Sequence, residues 1–267
     1  MRAWAAVVAC VLLTEGRPAR AQLRPVGAPL HARATLTPVS LVGSRATMLL
    51  TVAVDPGWHI SWRSPGETGL PTRFGWSLPK GVRLVREVWP VPLVTRTPVG
   101  VQHTLEGDVP WLVEFTTTGA GAGDRLIGLT LRYGVCRNVC IPEQQVVQGV
   151  LPEGDLTPVP VPAALRARLP VDGGAIPARV TAGVLCLRVP VRLAASSALD
   201  LISDRAVAGV PALQLVLRGG TGTARLPADA GLAQGSGVLL ISGSSAVAGT
   251  LDLRAAAAGC PSRPLRR

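Results

Sequence analysis

The sequence predicts an all-β protein with two consecutive domains: an antiparallel β-sandwich and a second, smaller β-sandwich-like domain. Short runs rich in Val, Leu and Thr recur between turns about every eight to twelve residues, which is typical of antiparallel folds. The 30 glycines and 24 prolines supply those turns, and the first half lacks the helical segments that parallel strands require. Every aromatic residue lies at or before Tyr133, and this change in composition indicates two domains.

The first 21 residues are typical of an export signal. Arg2 precedes an apolar run over 3–13, and Ala19-Arg20-Ala21 fits the A-x-A cleavage pattern. Cleavage there would leave Gln22 as the mature N-terminus. No later run approaches the roughly 18 consecutive apolar residues of a membrane-spanning helix. We therefore expect an exported protein with no transmembrane span of its own after cleavage.

The first domain is expected over residues 22–155. The Asp55-Pro56-Gly57 sequence is a strong turn signal, and two Pro-rich segments, 64–71 and 90–100, are expected to be loops. Between this turn and these loops, the alternation of apolar and polar residues predicts strands. The predicted strands cover 36–41, 46–54, 58–63, 72–77, 82–89, 111–116, 126–135 and 146–151.

Residues 156–177 are expected to be a linker with one short helix over 163–169, followed by a second all-β domain over 178–258 and a tail over 259–267. The strands of that domain are predicted at 179–189, 198–202, 212–217, 237–242 and 249–255. Residues 156–267 carry 12 basic and 5 acidic groups. These arginines fit a solvated surface, or alternatively attraction to an anionic membrane or acidic partner. No basic stripe is interleaved with aromatic residues, so nucleic-acid binding is not expected.

Four cysteines would remain after signal cleavage, and they allow three complete pairings. Proximity favours a bond between Cys136 and Cys140. Cys186 lies in the apolar run 184–187 and is expected to be a buried, inert thiol. Cys260 lies in a Gly/Pro/Arg tail and is expected to be exposed. A bridge between Cys186 and Cys260 is conceivable, but the sequence offers no support for it.

The Cys136/Cys140 pair concentrates the chemistry of the chain. A tight hairpin would bring the two Cα atoms within the roughly 4.4–6.8 Å that a disulfide needs. A disulfide that closes so small a ring removes little unfolded-state entropy and so stabilises the fold little. The spacing of the two cysteines is therefore better explained by a reversible redox pair than by a stabilising disulfide. Arg137 between the cysteines would favour a thiolate.

Other chemistries for the pair remain open. A purely structural loop disulfide and a two-coordinate Cu(I) site on both thiolates are alternatives. A site that adds His59 or His103 is less favoured, because structural zinc needs four ligands with paired spacings. The C-x-x-x-C spacing also differs from the C-x-x-C of thioredoxins.

Several residues are candidates to support this site. His59 is expected on a strand surface, or else as a proton shuttle. Glu67 either contacts the redox site or is a solvated loop acid. Glu143 either acts as an acid–base group near Cys140 or holds the hairpin through Arg137. The tryptophans of the first domain are expected to build its core.

Four separated motifs resemble one known family. In order and spacing, these motifs are similar to the periplasmic N-terminal domain of DsbD/ScsB-type thiol:disulfide interchange proteins, the disulfide bond corrector domain family. The second half of the chain is similar in position and character to the further β-domain of ScsB-like members. The motifs are GWHISWRSPGETGLP (57–71), WSLPKG (76–81), WPVP (89–92) and YGVCRNVCIPE (133–143).

The resemblance implies an immunoglobulin-like sandwich that carries redox-active cysteines and needs no bound cofactor. Cys140 would form the mixed disulfide with partners, Cys136 would resolve it, and a cap loop within 89–104 would shield the pair. If the chain is an enzyme, it would be a thiol–disulfide oxidoreductase of the protein-disulfide reductase type. The implied partners are a membrane-embedded electron-transfer protein and periplasmic thioredoxin-like proteins. The implied roles are disulfide correction, cytochrome c maturation or copper tolerance.

Overall fold

Residues 30–98, 100–118, 125–203, 212–226, 232–243, 245–255, 257 and 259–260 are described by a computed structural model. In these residues the only helices are the short α1, Ala163–Arg166, and a 3-10 turn, Val191–Leu193. None of the helices in this part of the chain is both long and apolar enough to cross a membrane. The predicted export signal lies outside the described residues.

Ten strands form the first domain, and each is rich in the β-branched and apolar residues that fit a half-buried sheet. They are β1 (Ala32–Val42), β2 (Arg45–Val54), β3 (His59–Gly66), β4 (Arg73–Ser77), β5 (Val82–Val88), β6 (Leu93–Thr97), β7 (Gly100–Leu105), β8 (Asp108–Thr117), β9 (Arg125–Cys136) and β10 (Cys140–Leu151).

These strands build two antiparallel sheets with the order β1-β2-β8-β5 in one and β10-β9-β3-β7-β6 in the other, where β4 also pairs with β9. Alternate residues of both sheets enter one apolar core, which includes the fully buried Trp62, Trp111 and Phe115. Trp58 and Trp76 pack against this core while partly buried. The predicted all-β class, the antiparallel sandwich and the core role of the tryptophans are confirmed.

The segment 90–100 was expected to be a loop, and this expectation is wrong for its middle part. Residues Leu93–Thr97 form β6, which pairs with β7 at the edge of the second sheet. An edge strand tolerates flanking prolines, because only one side of its backbone pairs with a neighbour. The prolines therefore bound this strand instead of preventing it.

The second domain is a barrel of seven strands. They are β11 (Val171–Thr181), β12 (Val184–Arg188), β13 (Ala198–Ser203), β14 (Leu213–Arg218), β15 (Thr221–Arg225), β16 (Gly237–Ser242) and β17 (Ser245–Asp252).

The barrel closes in the order β11-β12-β15-β14-β13-β16-β17. Antiparallel neighbours alternate in direction, so a ring of seven strands cannot close with antiparallel pairs alone. The chain resolves this mismatch with one parallel pair, β11 with β17. Inward-facing Leu, Ile and Val side chains fill the interior as a separate core. A sandwich-like domain was expected here, and the parallel pair closes its strands into a barrel.

Two boundaries differ from the predicted ones. The run 179–189 is not a single strand, because Ala182 and Gly183 take positive φ angles of 48° and 72° and turn the chain into the β11–β12 hairpin. In addition, β11 begins at Val171, inside the predicted linker 156–177. The remainder of that linker is fastened to the sandwich, since Leu156 and Leu41 exchange two backbone hydrogen bonds of 2.7 and 3.1 Å.

The barrel and the sandwich share an extensive contact. Outward-facing Ile202, Leu239 and Ile241 of the barrel belong to the same apolar cluster as Trp89 of the sandwich. Two ion pairs flank this cluster, one between Arg86 and Asp172 and one between Arg96 and Asp200. A backbone bond of 2.9 Å from the Val91 N–H to the Arg168 carbonyl joins the linker to β5–β6.

Cys186 is buried as expected, but it forms a disulfide with Cys260, so the expectation of a free, inert thiol is wrong. Neighbouring Leu185 and Leu187 face the barrel interior, and strand alternation therefore turns Cys186 outward. The chain after β17 crosses the outside of the barrel there, which buries Cys186 beneath it. The bond spans 74 positions and fastens this last segment to β12.

Candidate functional site

Cys136 and Cys140 lie opposite each other at the end of the β9–β10 hairpin. Cys136 is the last residue of β9, Cys140 is the first of β10, and the register pairs them directly. The Arg137 N–H donates a hydrogen bond of 3.2 Å to the Val139 carbonyl and tightens the three-residue connection. Their Cα atoms are 4.0 Å apart, in keeping with the close approach of non-hydrogen-bonded antiparallel pairs, and a disulfide joins the two residues.

The two cysteines differ sharply in accessibility. Cys136 is only 2% exposed, because it is enclosed between β10 and β3, where His59 is its register partner. Cys140 and the three connecting residues before it are exposed. An approaching thiolate can therefore reach the Cys140 sulfur more readily than the Cys136 sulfur.

A pocket of 160 Å³ adjoins the disulfide on the outer face of the second sheet. Three segments contribute to it besides the hairpin: the start of β3, the turn that follows β3, and β7. The lining residues are His59, Ser61, Pro65, Thr68, Gly69, Gln102, Thr104, Cys136, Arg137, Asn138, Val139 and Cys140. Two of the predicted supporting residues, His59 and Arg137, thus lie beside the cysteine pair.

Glu67 does not line this pocket; instead it fastens the turn after β3 to β7. Its N–H donates to the Val101 carbonyl at 2.9 Å, and its Oε2 accepts from the Val101 N–H at 2.6 Å. The Gln102 Nε2 donates a further bond of 2.6 Å to Thr68 Oγ1. We call residues 65–70, which are the last two residues of β3 and the turn that follows, the β3–β4 turn. Together with the β6–β7 hairpin, it forms one wall of the disulfide pocket.

The β3–β4 turn also covers the outer face of β9 next to the cysteines. Leu70 lies directly over Gly134, where a Cβ atom would come within 2.7 Å of the Leu70 Cβ. Only glycine fits this position without displacing the turn. The segment 64–71 was expected to be a loop, and its role as a cover for β9 was not predicted, although its Pro-Gly-Glu-Thr-Gly run belongs to the 57–71 motif.

The cap region expected at 89–104 contains the segment before β6, the whole of β6 and most of β7. From this region, Gln102 and Thr104 reach the pocket wall. His103, between them, points to the opposite face and is fully buried beside Trp62. Alternation along β7 therefore separates the pocket residues from His103.

Burial shapes the electrostatics of both histidines. Desolvation lowers the pKa of His59, and Glu106 opposes this effect by attraction. Desolvation also lowers the pKa of His103, whose Nδ1–H donates to the Ser64 carbonyl at 2.7 Å. Its buried Nε2 atom has no hydrogen-bond partner in the described structure. Both imidazoles therefore favour the neutral form.

Glu143 lies on the opposite side of the hairpin from the disulfide. It is three positions from Cys140, so strand alternation points its carboxylate toward the sandwich core, where it is 7% exposed. There its Oε2 accepts a hydrogen bond of 2.8 Å from the Tyr133 hydroxyl. The sheet separates this carboxylate from the cysteine sulfurs, so the geometry gives no basis for proton transfer at Cys140.

Few side chains that could bind a metal ion surround the cysteine pair in the described structure. Among the described residues, no group of three or more His, Cys, Asp or Glu side chains is arranged to hold an ion. In the disulfide form the two sulfurs are bonded to each other. The chemistry that this arrangement can perform is thiol–disulfide exchange, in which a thiolate attacks an accessible disulfide sulfur such as that of Cys140.

Comparison with known proteins identifies the first domain. Residues 28–152 match the family described as "Thiol:disulfide interchange protein DsbD, N-terminal". No curated protein sequence shows significant similarity to the chain.

Solved structures provide a comparison of folds. The N-terminal periplasmic domain of ScsB from Proteus mirabilis aligns with a TM-score of 0.52 at 20% identity, covering 83% of this chain and 92% of that one. The N-terminal domain of DsbD from Neisseria meningitidis, in its reduced form, aligns with a TM-score of 0.27 at 12% identity, covering 47% and 90%. The ScsB match extends beyond the sandwich, whose strands end at Leu151. The family match therefore supports a DsbD-type N-terminal domain over residues 28–152, and the ScsB alignment shows a related fold.

Proposed function

We propose that the chain is a periplasmic thiol–disulfide interchange module. It relays reducing equivalents between a membrane-embedded electron-transfer protein and periplasmic thioredoxin-like proteins. The observation that carries this proposal is the asymmetry of the disulfide, in which Cys140 is exposed and Cys136 is buried. The match of residues 28–152 to the DsbD N-terminal family supports the same chemistry.

The exchange proceeds in two balanced steps. In the first, a thiolate of the electron donor attacks the Cys140 sulfur; the bond to Cys136 breaks, and Cys136 leaves as a thiolate that takes up a proton. In the second, the donor's other thiolate attacks the donor sulfur that is bonded to Cys140. A disulfide forms within the donor, and Cys140 is released as a thiolate. The donor leaves oxidised, and Cys136 and Cys140 are both reduced.

The reduced pair then passes its electrons on. The Cys140 thiolate attacks the disulfide of a thioredoxin-like acceptor, and Cys136 resolves the mixed disulfide by attacking Cys140. Arg137, next to Cys136 in the connecting turn, provides a positive charge that favours the thiolate form. The acceptors would serve disulfide correction, cytochrome c maturation or copper tolerance.

Trapping tests this proposal directly. Cys136→Ala leaves Cys140 without its resolving thiol, so a partner that exchanges with Cys140 should accumulate as a mixed disulfide on non-reducing gels. Cys140→Ala is the matched control and should trap far less, because its remaining thiol is buried. A second measurement is the reduction potential of the Cys136–Cys140 pair. A potential below about −300 mV, the range of resistant structural disulfides, together with no trapped partner, would refute the proposal.

A further inference from the structure

The barrel contacts the sandwich through one side and directs its acidic residues away from the other. Strands β13 and β16 supply Ile202 and Leu239 to the apolar cluster shared with the sandwich. Of the three acidic residues described in the barrel, Asp172 and Asp200 form ion pairs with arginines of the sandwich. The third, Asp252, accepts hydrogen bonds from nearby side-chain and backbone donors. Each of the three carboxylates is therefore already engaged.

The side of the barrel away from the sandwich carries only positive charge. Strands β12, β15 and β14 are neighbours in the closed order, lie across the barrel from β16, and contain three arginines and no acidic residue. Their leucines face the interior, so strand alternation turns Arg188, Arg218 and Arg225 outward, where all three are exposed. Within the described residues, none of these guanidinium groups forms an ion pair.

The arginines are held close together by the strand register. Arg188 and Arg218 are both register partners of Thr221 on the strand between them. The end of the described chain packs over Thr221, where a Cβ atom on Gly259 would lie 2.9 Å from Thr221 Cγ2. The sequence continues from Cys260 as Pro-Ser-Arg-Pro-Leu-Arg-Arg, with three more arginines and no acidic residue. Positive charge is thus concentrated on this side of the protein.

An exposed apolar side chain lies beside these charges. In the 3-10 turn after β12, Val191 is 91% exposed and is followed by the exposed Arg192. The Val189 N–H donates a hydrogen bond of 2.9 Å to the Gly220 carbonyl, so the turn starts next to the β14–β15 hairpin. At a membrane surface the guanidinium groups would contact lipid phosphates while the valine left water. The protruding valine therefore favours a lipid surface over an acidic protein as the partner.

We propose that the barrel binds the anionic phospholipid surface of a membrane through its basic face, which we define as Arg188, Arg192, Arg218 and Arg225 with Val191. A guanidinium group can donate two parallel hydrogen bonds to a phosphate, which suits arginine to this role. Because the sandwich contacts the other side of the barrel, it is held on the side away from the lipid. This inference goes beyond exchange at Cys140 and does not depend on it.

The test measures co-sedimentation of the chain with lipid vesicles at about 0.1 M NaCl, where surface charges act over about 10 Å. The chain is prepared without the predicted export signal, whose apolar run would bind lipid by itself. Wild type should bind vesicles of phosphatidylglycerol and phosphatidylcholine in equal parts, and should not bind pure phosphatidylcholine. Arg188→Gln/Arg218→Gln should weaken binding about 25-fold, or about fivefold for each lost charge. Val191→Gln should weaken it by about fivefold, because a polar side chain gains nothing on leaving water.

The sandwich offers a matched control for the loss of two charges. Arg45 and Arg83 are exposed and are both register partners of Thr116 on the strand between them. Arg45→Gln/Arg83→Gln removes the same charge and leaves the basic face intact, so binding should stay within about twofold of wild type. Arg188→Lys/Arg218→Lys keeps the positive charge and should retain most of the binding. Thermal melting shows whether each variant is folded.

Four results would overturn the inference. They are absence of binding to the anionic vesicles, equal binding to neutral vesicles, an equal loss in the sandwich control, and displacement by inorganic phosphate but not by sodium chloride of the same ionic strength. The last result would assign the arginines to a free anion instead of a lipid surface. Vesicle binding needs no thiol chemistry, so failure to trap a partner would refute the proposed function and leave this inference standing. Failure to bind vesicles would likewise leave the trapping result unaffected.

Discussion

The Tyr133 hydroxyl and the Glu143 carboxylate form a 2.8 Å hydrogen bond across the β9–β10 hairpin, on the face opposite the disulfide. Tyr133 and Glu143 are register partners, and both are at least nine-tenths buried. A buried carboxylate is costly unless donors satisfy it, so this pair fixes the hairpin that presents the cysteines. The position of the carboxylate therefore favours a structural role over proton transfer at Cys140.

Tyr133→Phe should destabilise the protein and leave exchange chemistry nearly intact. Removing a donor from a buried acceptor costs about 1–3 kcal/mol, which urea unfolding would measure. Glu143→Gln should likewise keep a dithiothreitol reduction rate close to that of the wild type. A general acid–base group contributes about 10²–10⁴-fold, so a rate loss of that size in Glu143→Gln would contradict this assignment.

Gly134→Ala should make the disulfide more accessible by displacing the turn that packs against β9 beside it. The added Cβ would lie 2.7 Å from the Leu70 Cβ, and overpacking of this kind costs about 1–3 kcal/mol. We expect a lower melting temperature and faster reduction of the Cys136–Cys140 bond. Gly75→Ala is the matched control, because its Cβ would meet no atom closer than 3.7 Å. Equal behaviour of the two variants would rule out a specific role for the contact with Leu70.

The two disulfides should differ in both stability contribution and reactivity. The bond between Cys186 and Cys260 spans 74 positions, and closing so long a loop contributes about 4 kcal/mol in the chain-entropy view. Its double Ala variant should melt at a markedly lower temperature than the double Ala variant of Cys136 and Cys140. Under limiting dithiothreitol, alkylation and mass mapping should label the Cys136–Cys140 pair first, because Cys140 is exposed.

Stability should fall as the pH drops from about 7.5 to about 5.5, because two histidines are held neutral. Burial lowers the pKa of His103 below its ordinary value, although the Ser64 carbonyl and Asp200 oppose this and Arg96 adds to it. Above the unfolded pKa of about 6.5 the contribution is complete. Below it the unfolded chain binds a proton that the folded chain refuses, and stability is lost toward the folded pKa.

The measurement is the unfolding free energy of wild type, His103→Gln and His59→Gln at several pH values. Each histidine can contribute at most about 1.4 kcal/mol per pH unit in this window. Each substitution should therefore flatten the pH dependence by its own share. A wild-type curve that is already flat would show that neither imidazole resists protonation.

Much of the sandwich could be predicted from sequence, because alternation of apolar and polar residues decides which face of a strand is buried. The same alternation could have placed Glu143 correctly, since it is an even number of positions from the buried-face residue Ile141. Strand β6 was missed because prolines near Leu93 suggested a loop, and proline statistics cannot distinguish an edge strand from a loop.

Pairing between strands or cysteines that lie far apart in the chain could not be predicted from the sequence. The parallel ladder that joins β11 to β17 begins between Val171 and Val247, and no local pattern marks such distant partners. The same limit applies to the bond between Cys186 and Cys260. The β3–β4 turn depends on contacts between segments, such as Leu70 over Gly134, which appear only when the strands are in place.

The parallel pairing of the first and last barrel strands has a mechanical consequence. Because β11 and β17 run in the same direction, tension applied at Val171 and at Asp252 pulls the two strands past each other. Their hydrogen bonds then share the load as a group, whereas a terminal hairpin would unzip one bond at a time. With the Cys186–Cys260 bond intact, tension applied beyond Cys260 enters β12 directly and bypasses β17. The oxidation state of this bond therefore decides which strand of the barrel bears the load.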